Sequence, residues 1–250
     1  MARRLSLLAP ILLAAFLLLA GGTARAQEPL VADLSQHLIA ITAGFTGAEV
    51  LLFGATEGEG DVVVVVRGPD TTTVVRRKSR ELGIWINSAQ VTFTGVPAFY
   101  RLAASRPLDE ILSPQLQARH QLGIANLRFS TVRARSPQEI AEFRAGLLRN
   151  REREGLFSTE IGPVTFLQRL FRAPIRLPAN VPTGRYQVHT LLVRNGEVVA
   201  EQVTPMFVDK AGVGALVYEF AHREPAIYGI LAVLVAISAG WAASAVFRRG

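Results

Sequence analysis

The uncharged run near the C-terminus, residues 226–247, is the feature that most constrains how this chain can fold. It is 22 residues long, and a helix of that length crosses the ~30 Å hydrocarbon layer of a bilayer. Arg248 and Arg249 follow directly, and basic residues beside a span favour its cytoplasmic side. The pattern predicts one transmembrane helix over 226–247 and a short cytoplasmic tail over 248–250.

The opposite end of the chain, residues 1–26, has the pattern of an export signal. Two arginines precede an apolar stretch over 5–20, and residues 24–26, Ala-Arg-Ala, match the small-residue pattern of a cleavage site. Cleavage there makes Gln27 the first residue of the mature chain. An uncleaved anchor is the alternative, although the 16 apolar residues of 5–20 are few for a span.

The formal net charge of +7 comes mostly from the two ends of the chain. The arginines there are Arg3, Arg4, Arg25, Arg248 and Arg249, and without them 22 basic residues stand against 20 acidic ones. This near balance argues against a nucleic-acid partner. The chain contains no cysteine, which excludes disulfide bonds, zinc–thiolate sites and thiol catalysis.

Strand-like patterns fill most of the segment between the two ends, residues 27–208. Residues 62–66 are five consecutive valines, typical of a strand covered on both faces. Asn195-Gly196 lies between two alternating stretches and is the strongest hairpin signal. Tyr186 fits the tyrosine corner of an immunoglobulin-like domain, its hydroxyl bonding back to nearby backbone. We predict a mainly β fold, an immunoglobulin-like β-sandwich outside the cytoplasm, with two small domains as the alternative.

A helical insertion is predicted at about residues 105–155. Ser113 and Ser136 each precede a proline, which is typical of a helix N-cap followed by proline at the first helical position. Ser136 with Glu139 forms a capping box. Residues 209–225 are predicted to be a helical lead into the membrane. The stripe expected to face the core in the second helix is Ile140, Phe143 and Leu147.

Two sets of residues are candidates for binding. The first is a basic patch, which we expect either to hold an anionic ligand or lipid headgroups or to be a solvated strand edge. The second is a ridge of small residues along the transmembrane helix, which suits close approach of another helix, although chance spacing in an alanine-rich span is the alternative. The patch is Arg76, Arg77, Lys78 and Arg80, and the ridge is Ala232, Ala236, Gly240 and Ser244.

No pattern for catalysis, a metal or a cofactor is found in the sequence. The four histidines are isolated, and neither HExxH, GxSxG nor a phosphate-binding Gly-Lys-Ser/Thr occurs. The acidic residues of 57–61 lie in a glycine-rich stretch and are interpreted as a solvated turn rather than a calcium site. We therefore expect a protein that is not an enzyme. The histidines are His37, His120, His189 and His222.

Eight short stretches carry a resemblance to a known family. They are residues 32–35, 45–48, 51–55, 64–69, 83–87, 97–100, 177–182 and 220–226. Together they resemble the putative transmembrane protein family of alphaproteobacteria, over nearly the whole mature chain. The resemblance implies a Gram-negative inner membrane, a periplasmic domain, and a gene often located near a sulfite-exporter-type permease. It implies no catalytic or binding residues.

These observations favour a single-pass inner-membrane protein with a non-catalytic periplasmic domain. The expected role is an accessory or assembly partner of a membrane transporter, possible partners being the neighbouring permease or a second copy of the chain through the transmembrane helix. The alternative is a periplasmic binding module for a small anion or an envelope component, with the basic patch as its site.

Overall fold

The computed structural model describes residues 29–81 and 83–247. The predicted signal peptide and the tail over 248–250 lie outside the described residues. Within them the chain forms thirteen strands. In chain order these are β1 (Leu30–Leu34), β2 (Leu38–Ile41), β3 (Gly47–Thr56), β4 (Asp61–Arg67), β5 (Asp70–Glu81), β6 (Ile84–Pro97), β7 (Tyr100–Ala104), β8 (Ser130–Thr131), β9 (Phe157–Pro163), β10 (Thr165–Leu167), β11 (Leu170–Pro178), β12 (Gly184–Arg194) and β13 (Glu197–Lys210).

The strands form three sheets. The first has the order β1-β3-β11-β10, the second β2-β13-β12-β4-β7-β9, and the third is the long β5–β6 hairpin with β8 beside it. Neighbours are antiparallel, except that β2 pairs with β13 and β7 with β9 in parallel. The prediction of a mainly β fold is confirmed. The immunoglobulin-like sandwich is not confirmed, because the sheets are curled.

The five valines of β4 form the centre of the six-stranded sheet. All five are buried, so the strand is covered on both faces as its sequence predicts. Because side chains alternate along a strand, Val64 and Val66 face Ile175 of the four-stranded sheet across a small cavity. The other face of this sheet contacts the helical insertion, since Tyr100 bonds to the backbone of Gln121 and Gly123.

Two local predictions about β12 are confirmed. Asn195 and Gly196 have φ angles of 51° and 78°, the left-handed pair that a tight hairpin needs, and β12 pairs with β13 across them. The Tyr186 hydroxyl donates to the Pro182 carbonyl oxygen at 2.6 Å. Gly68 lies against this ring, and a Cβ at that position would be 3.1 Å from it.

Three α-helices and a 3₁₀ turn occupy the predicted insertion. The Ser136 hydroxyl accepts a bond from the Glu139 amide at 3.2 Å, whereas the Glu139 carboxylate pairs with Arg135, so half of the predicted capping box forms. Ser113 precedes the second helix without a side-chain cap bond. The elements are α1 (Leu108–Ile111), α2 (Pro114–Arg119), the 3₁₀ turn Ile124–Asn126 and α3 (Pro137–Arg153).

Two helices end the described chain, α4 (Val213–Arg223) and α5 (Pro225–Phe247). Pro225 begins α5, one residue before the predicted start of the span at 226. Among the described residues α5 is the one helix long and apolar enough to cross a membrane, and its apolar window, Pro225–Ser244, is not buried against the rest of the protein. The C-terminal helix therefore has the length and composition of a membrane span.

Candidate functional site

The predicted basic patch lies on β5, and the structure divides it. Arg77 forms an ion pair with Glu142 of α3, and its guanidinium lies 5.0 Å from the centre of the Phe143 ring. The strand pairing is irregular between Arg77 and Lys78. Arg76 and Arg77 therefore lie beside α3, while Lys78 and Arg80 lie nearer the tip of the β5–β6 hairpin.

The two inner members of the patch line a cleft between β5 and α3. Its volume is about 280 Å³, and α3 adds Arg149 and Arg153 to its lining. Arg76 makes one long hydrogen bond to Gln90, at 3.5 Å. The side chains of Arg149 and Arg153 make no hydrogen bond or ion pair with any residue in 29–81 or 83–247. This basic cleft therefore carries positive charge that no described carboxylate offsets, apart from Glu142 on Arg77.

The outer members of the patch lie beside two exposed apolar side chains. Arg80 donates to the Gly83 carbonyl oxygen at 3.4 Å, which places it at the turn of the hairpin. Ile84 and Trp85 follow that turn, and Trp85 is 68% exposed. The hairpin tip is therefore both basic and apolar, and it is separate from the basic cleft.

A second candidate surface is an apolar groove on the outer face of the four-stranded sheet. Its volume is about 600 Å³. Leu167 and Leu170 are 74% and 58% exposed, and Phe53 is 45% exposed. The polar side chains of its lining are Asp33, Thr165 and Arg172. The apolar side chains that define this groove are Val31, Leu51, Phe53, Phe166, Leu167, Leu170 and Phe171.

The sequence contains a signal for this groove in β3. Val50 and Leu52 are fully buried, and the alternate residues Leu51 and Phe53 are 38% and 45% exposed. A half-buried strand is expected to alternate apolar with polar residues, so this continuous apolar run is typical of a strand with two apolar faces. The candidate sites predicted from the sequence do not include these residues.

The acidic residues of 57–61 are held by arginines. Arg194 donates to the carbonyl oxygens of Glu57 and Glu59, and Arg106 forms an ion pair with Asp61. The hydrogen bond from Arg106 holds the pKa of the Asp61 carboxyl below its usual value, against the opposing effect of burial. These contacts hold the stretch in place as a turn, in agreement with its interpretation from the sequence.

Two of the histidines have a carboxylate neighbour. His37 lies 2.9 Å from Asp33, and His189 lies 2.8 Å from Glu201. Over residues 29–81 and 83–247 no group of three or more His, Asp or Glu side chains is arranged to hold a metal ion. The small residues Ala232, Ala236, Gly240 and Ser244 all lie within α5, and the spacing of four residues puts them along one side of that helix.

Comparison with known proteins links this arrangement to a family. A family profile described as putative transmembrane protein (Alph_Pro_TM) matches residues 29–249, which includes every described strand and helix. A comparison with curated proteins finds no match. Together with the apolar helix α5, the family match identifies a membrane protein. The chain belongs to the putative transmembrane protein family Alph_Pro_TM.

Proposed function

We propose that this protein is a non-catalytic accessory subunit whose β-rich domain docks on an integral membrane protein. The observation that carries the proposal is the apolar groove on the outer face of β1, β3, β11 and β10. In the proposed topology α5 is a single inner-membrane span, the domain lies in the periplasm, and the C-terminus is cytoplasmic. A sulfite-exporter-type permease is the first candidate partner, because the resemblance in sequence implies such a neighbour.

The energetics of the groove favour an occupant. Fully burying one Leu, Val or Phe side chain contributes about 1.5–3 kcal/mol relative to leaving it exposed. Several such side chains are half-exposed here, so covering them together provides several kcal/mol for docking. Contiguous apolar surface of this kind marks interaction sites in monomeric domains.

The membrane anchor explains why an integral membrane protein is the proposed occupant. A domain tethered by α5 remains within a short distance of the bilayer, which raises its effective concentration toward other membrane proteins. The ridge formed by Ala232, Ala236, Gly240 and Ser244 offers a second contact for a partner helix within the bilayer. Simultaneous contact at both places increases the overall affinity.

The Tyr186–Pro182 bond also supports a distant immunoglobulin-like relationship of the domain, which we include in the proposal.

Site-specific photo-crosslinking in native membranes tests the proposal. A photo-crosslinking amino acid replaces Phe53, Leu167 or Val203 in the full chain at native expression. Phe53 lines the groove, and Val203 is a matched control because both are 45% exposed and Val203, on β13, does not line the groove. We expect Phe53 and Leu167 positions, and not the Val203 position, to capture one polytopic membrane protein. Its band should disappear when the gene of the captured protein is deleted.

Two variants complete the design. Phe53→Asp and Leu167→Asp place a charge in the groove and should reduce recovery of the partner by at least tenfold, whereas Val203→Asp should leave recovery unchanged. Capture of this protein alone from the groove positions would show that the groove joins two copies of the chain. Equal capture from all three positions would contradict docking through the groove.

The basic cleft favours a second candidate function, binding of a small anion. Arg76, Arg149 and Arg153 converge there, and none of them has a carboxylate partner in the part of the chain that the structure describes. Inorganic phosphate should raise the thermal unfolding midpoint of the full chain, because a ligand that binds the native state stabilises it. The double variant Arg149→Gln, Arg153→Gln should lose this shift. Arg169→Gln with Arg185→Gln removes the same charge elsewhere and should retain the shift. Loss of the shift in both double variants would exclude the cleft as the phosphate site.

A further inference from the structure

A cavity lies between the two larger sheets, where β7 and β9 face β11. Its volume is about 230 Å³, below the range of pockets that hold drug-sized ligands. Val64, Val66 and Ile175 form buried apolar walls. Ser158 and Glu160 are among its polar lining residues. The space therefore suits a small molecule with an apolar part and a polar part.

Arg101 brings a positive charge to this cavity. It lies on β7 opposite Val66 and lines the cavity. Its Nε atom is buried and has no hydrogen-bond partner. Within the described chain the side chain of Arg101 forms no ion pair or hydrogen bond, and its guanidinium carbon lies 5.8 Å from the centre of the Phe99 ring.

The other charged groups of the cavity do not offset Arg101. Arg176 is already paired with Glu49, at 2.9 Å. Glu160 is exposed and forms no ion pair within 4.0 Å with Arg101 or Arg176 in the described chain. Ser158 bonds to the backbone of Glu160, at 3.1 and 3.2 Å. Arg101 is therefore a partly buried cation with no carboxylate partner among the described residues.

The buried Nε–H of Arg101 has no acceptor, and a donor taken out of water without a hydrogen-bond partner lowers stability. Neighbouring residues of the same inter-sheet space are Val64, Val66 and Ala103, so an apolar side chain would suit position 101 better for stability alone. Binding sites commonly retain groups that lower stability because a ligand needs them.

We propose that this cavity binds a small anion, either a carboxylate or a phosphate-like oxyanion, through the guanidinium of Arg101. The planar guanidinium donates two parallel hydrogen bonds to either group, and the walls formed by Val64, Val66 and Ile175 contact the rest of the ligand. The site is separate from the basic cleft, and it does not depend on docking through the apolar groove.

Thermal unfolding of the full chain in detergent micelles tests the proposal. The background carries Arg149→Gln and Arg153→Gln, so that the basic cleft makes no contribution. Propanoate and inorganic phosphate are compared with chloride at equal ionic strength. We expect at least one of the two anions to raise the unfolding midpoint by several degrees at millimolar concentration, and the shift to saturate, as it does for a site.

Three substitutions make the result specific. In chloride, Arg101→Met should have an unfolding midpoint equal to or above that of its parent, because it removes an unpaired charge. It should show no saturable shift of the midpoint with either anion. Arg101→Lys keeps the charge without the planar donor pair and should need at least tenfold more anion. Glu160→Gln removes a negative charge beside the site and should need less anion. General stabilisation by excluded salts affects all variants equally and does not saturate.

Two outcomes would overturn the proposal. The first is a saturable shift that survives Arg101→Met, which would place the anion elsewhere. The second is the absence of a shift with both anions, or an Arg101→Met chain that is clearly less stable than its parent, since Arg101 would then have a structural role only. Crosslinking from Phe53 is independent of both outcomes, so failure here leaves docking through the groove intact.

Discussion

At the scale of single residues, burial and hydrogen bonding together determine the pKa of Tyr100. Its hydroxyl donates to the Gln121 carbonyl oxygen and accepts from the Gly123 amide, each at 2.8 Å. Desolvation by burial is the larger effect and raises the pKa of Tyr100 to about 12. Burial also raises the pKa of Tyr186. Ionisation of either ring is therefore less favourable in the folded domain than in the unfolded chain.

These pKa shifts predict a loss of stability at alkaline pH. An unfolded tyrosine ionises near about pH 10, whereas folded Tyr100 ionises at about 12. Between these values the unfolded state has lost a proton that the folded state keeps, so the free energy of unfolding falls as pH rises. Urea unfolding of the full chain at about pH 9 and about pH 11.5 should show this fall.

The variant Tyr100→Phe should be less stable at the lower pH, by about 1 kcal/mol, because two hydrogen bonds are lost. It should also lose less stability than the wild type as the pH rises. Tyr218→Phe is the control, because Tyr218 is 66% exposed. This substitution should change neither the stability at the lower pH nor its loss as the pH rises. An equal pH dependence in wild type and Tyr100→Phe would contradict the role of Tyr100.

Local chemistry made some residues predictable from the sequence and left others hidden. The Tyr186 bond and the Asn195-Gly196 turn depend on neighbours within a few residues, so the sequence reveals them. Arg101 differs, because its lack of a partner depends on strands far apart in the chain. The pairing of Arg77 with Glu142 spans 65 positions, and sequence spacing contains no signal for it.

At the scale of elements, α3 begins with a side-chain cap and α2 does not. Both helices start with a serine followed by proline, yet only Ser136 accepts a bond from the backbone, at 3.2 Å from the Glu139 amide. The same sequence pattern therefore stabilises the two helices to different degrees.

Paired substitutions measure this difference. Ser136→Ala should lower the free energy of unfolding by about 1 kcal/mol, the usual cost of losing an N-cap. Ser113→Ala, at the matching position of α2, should have a clearly smaller effect because no cap bond is lost. Urea unfolding of the full chain gives both values. Equal costs would show that the bond at Ser136 adds nothing beyond the preference of serine for the position.

Periodicity predicts elements with a buried stripe better than elements that are mostly exposed. The stripe of α3 places Phe143 and Leu147 in the core, as expected from a spacing that is local to the helix. The sequence does not predict β9 and β10, because all three residues of β10 are exposed and one of the seven residues of β9 is fully buried. Their strand conformation depends on pairing with β7 and β11, which tertiary structure supplies.

At the scale of the whole molecule, α5 is the described helix with the length and composition of a membrane span. Composition alone predicts this helix, because length and lack of charge decide whether a helix can span. Composition does not predict how the sheets pack against each other, since the apolar groove and the Arg101 cavity arise only where distant strands meet. The sequence therefore predicts the span, whereas the two candidate surfaces depend on the tertiary structure.

A chain that ends after Lys210 tests the attachment. It retains the predicted export signal and all thirteen strands and lacks α4 and α5. The full chain should stay with the membrane fraction after an alkaline wash, whereas the shortened chain should be recovered in the soluble fraction. Replacing residues 226–247 with an unrelated apolar span should restore membrane retention. Release of the full chain by alkali would contradict a membrane-spanning α5.

The position of β13 determines how the domain responds to mechanical load. β13 ends at Lys210, close to the start of α4 at Val213, and it lies between β12 and β2 in the six-stranded sheet. Ladder hydrogen bonds run across the strands, so tension applied from the bilayer along β13 shears the whole β12–β13 ladder at once. The domain should therefore resist unfolding when it is pulled along β13. Separation of β13 from β12 should require that many hydrogen bonds break together rather than one after another.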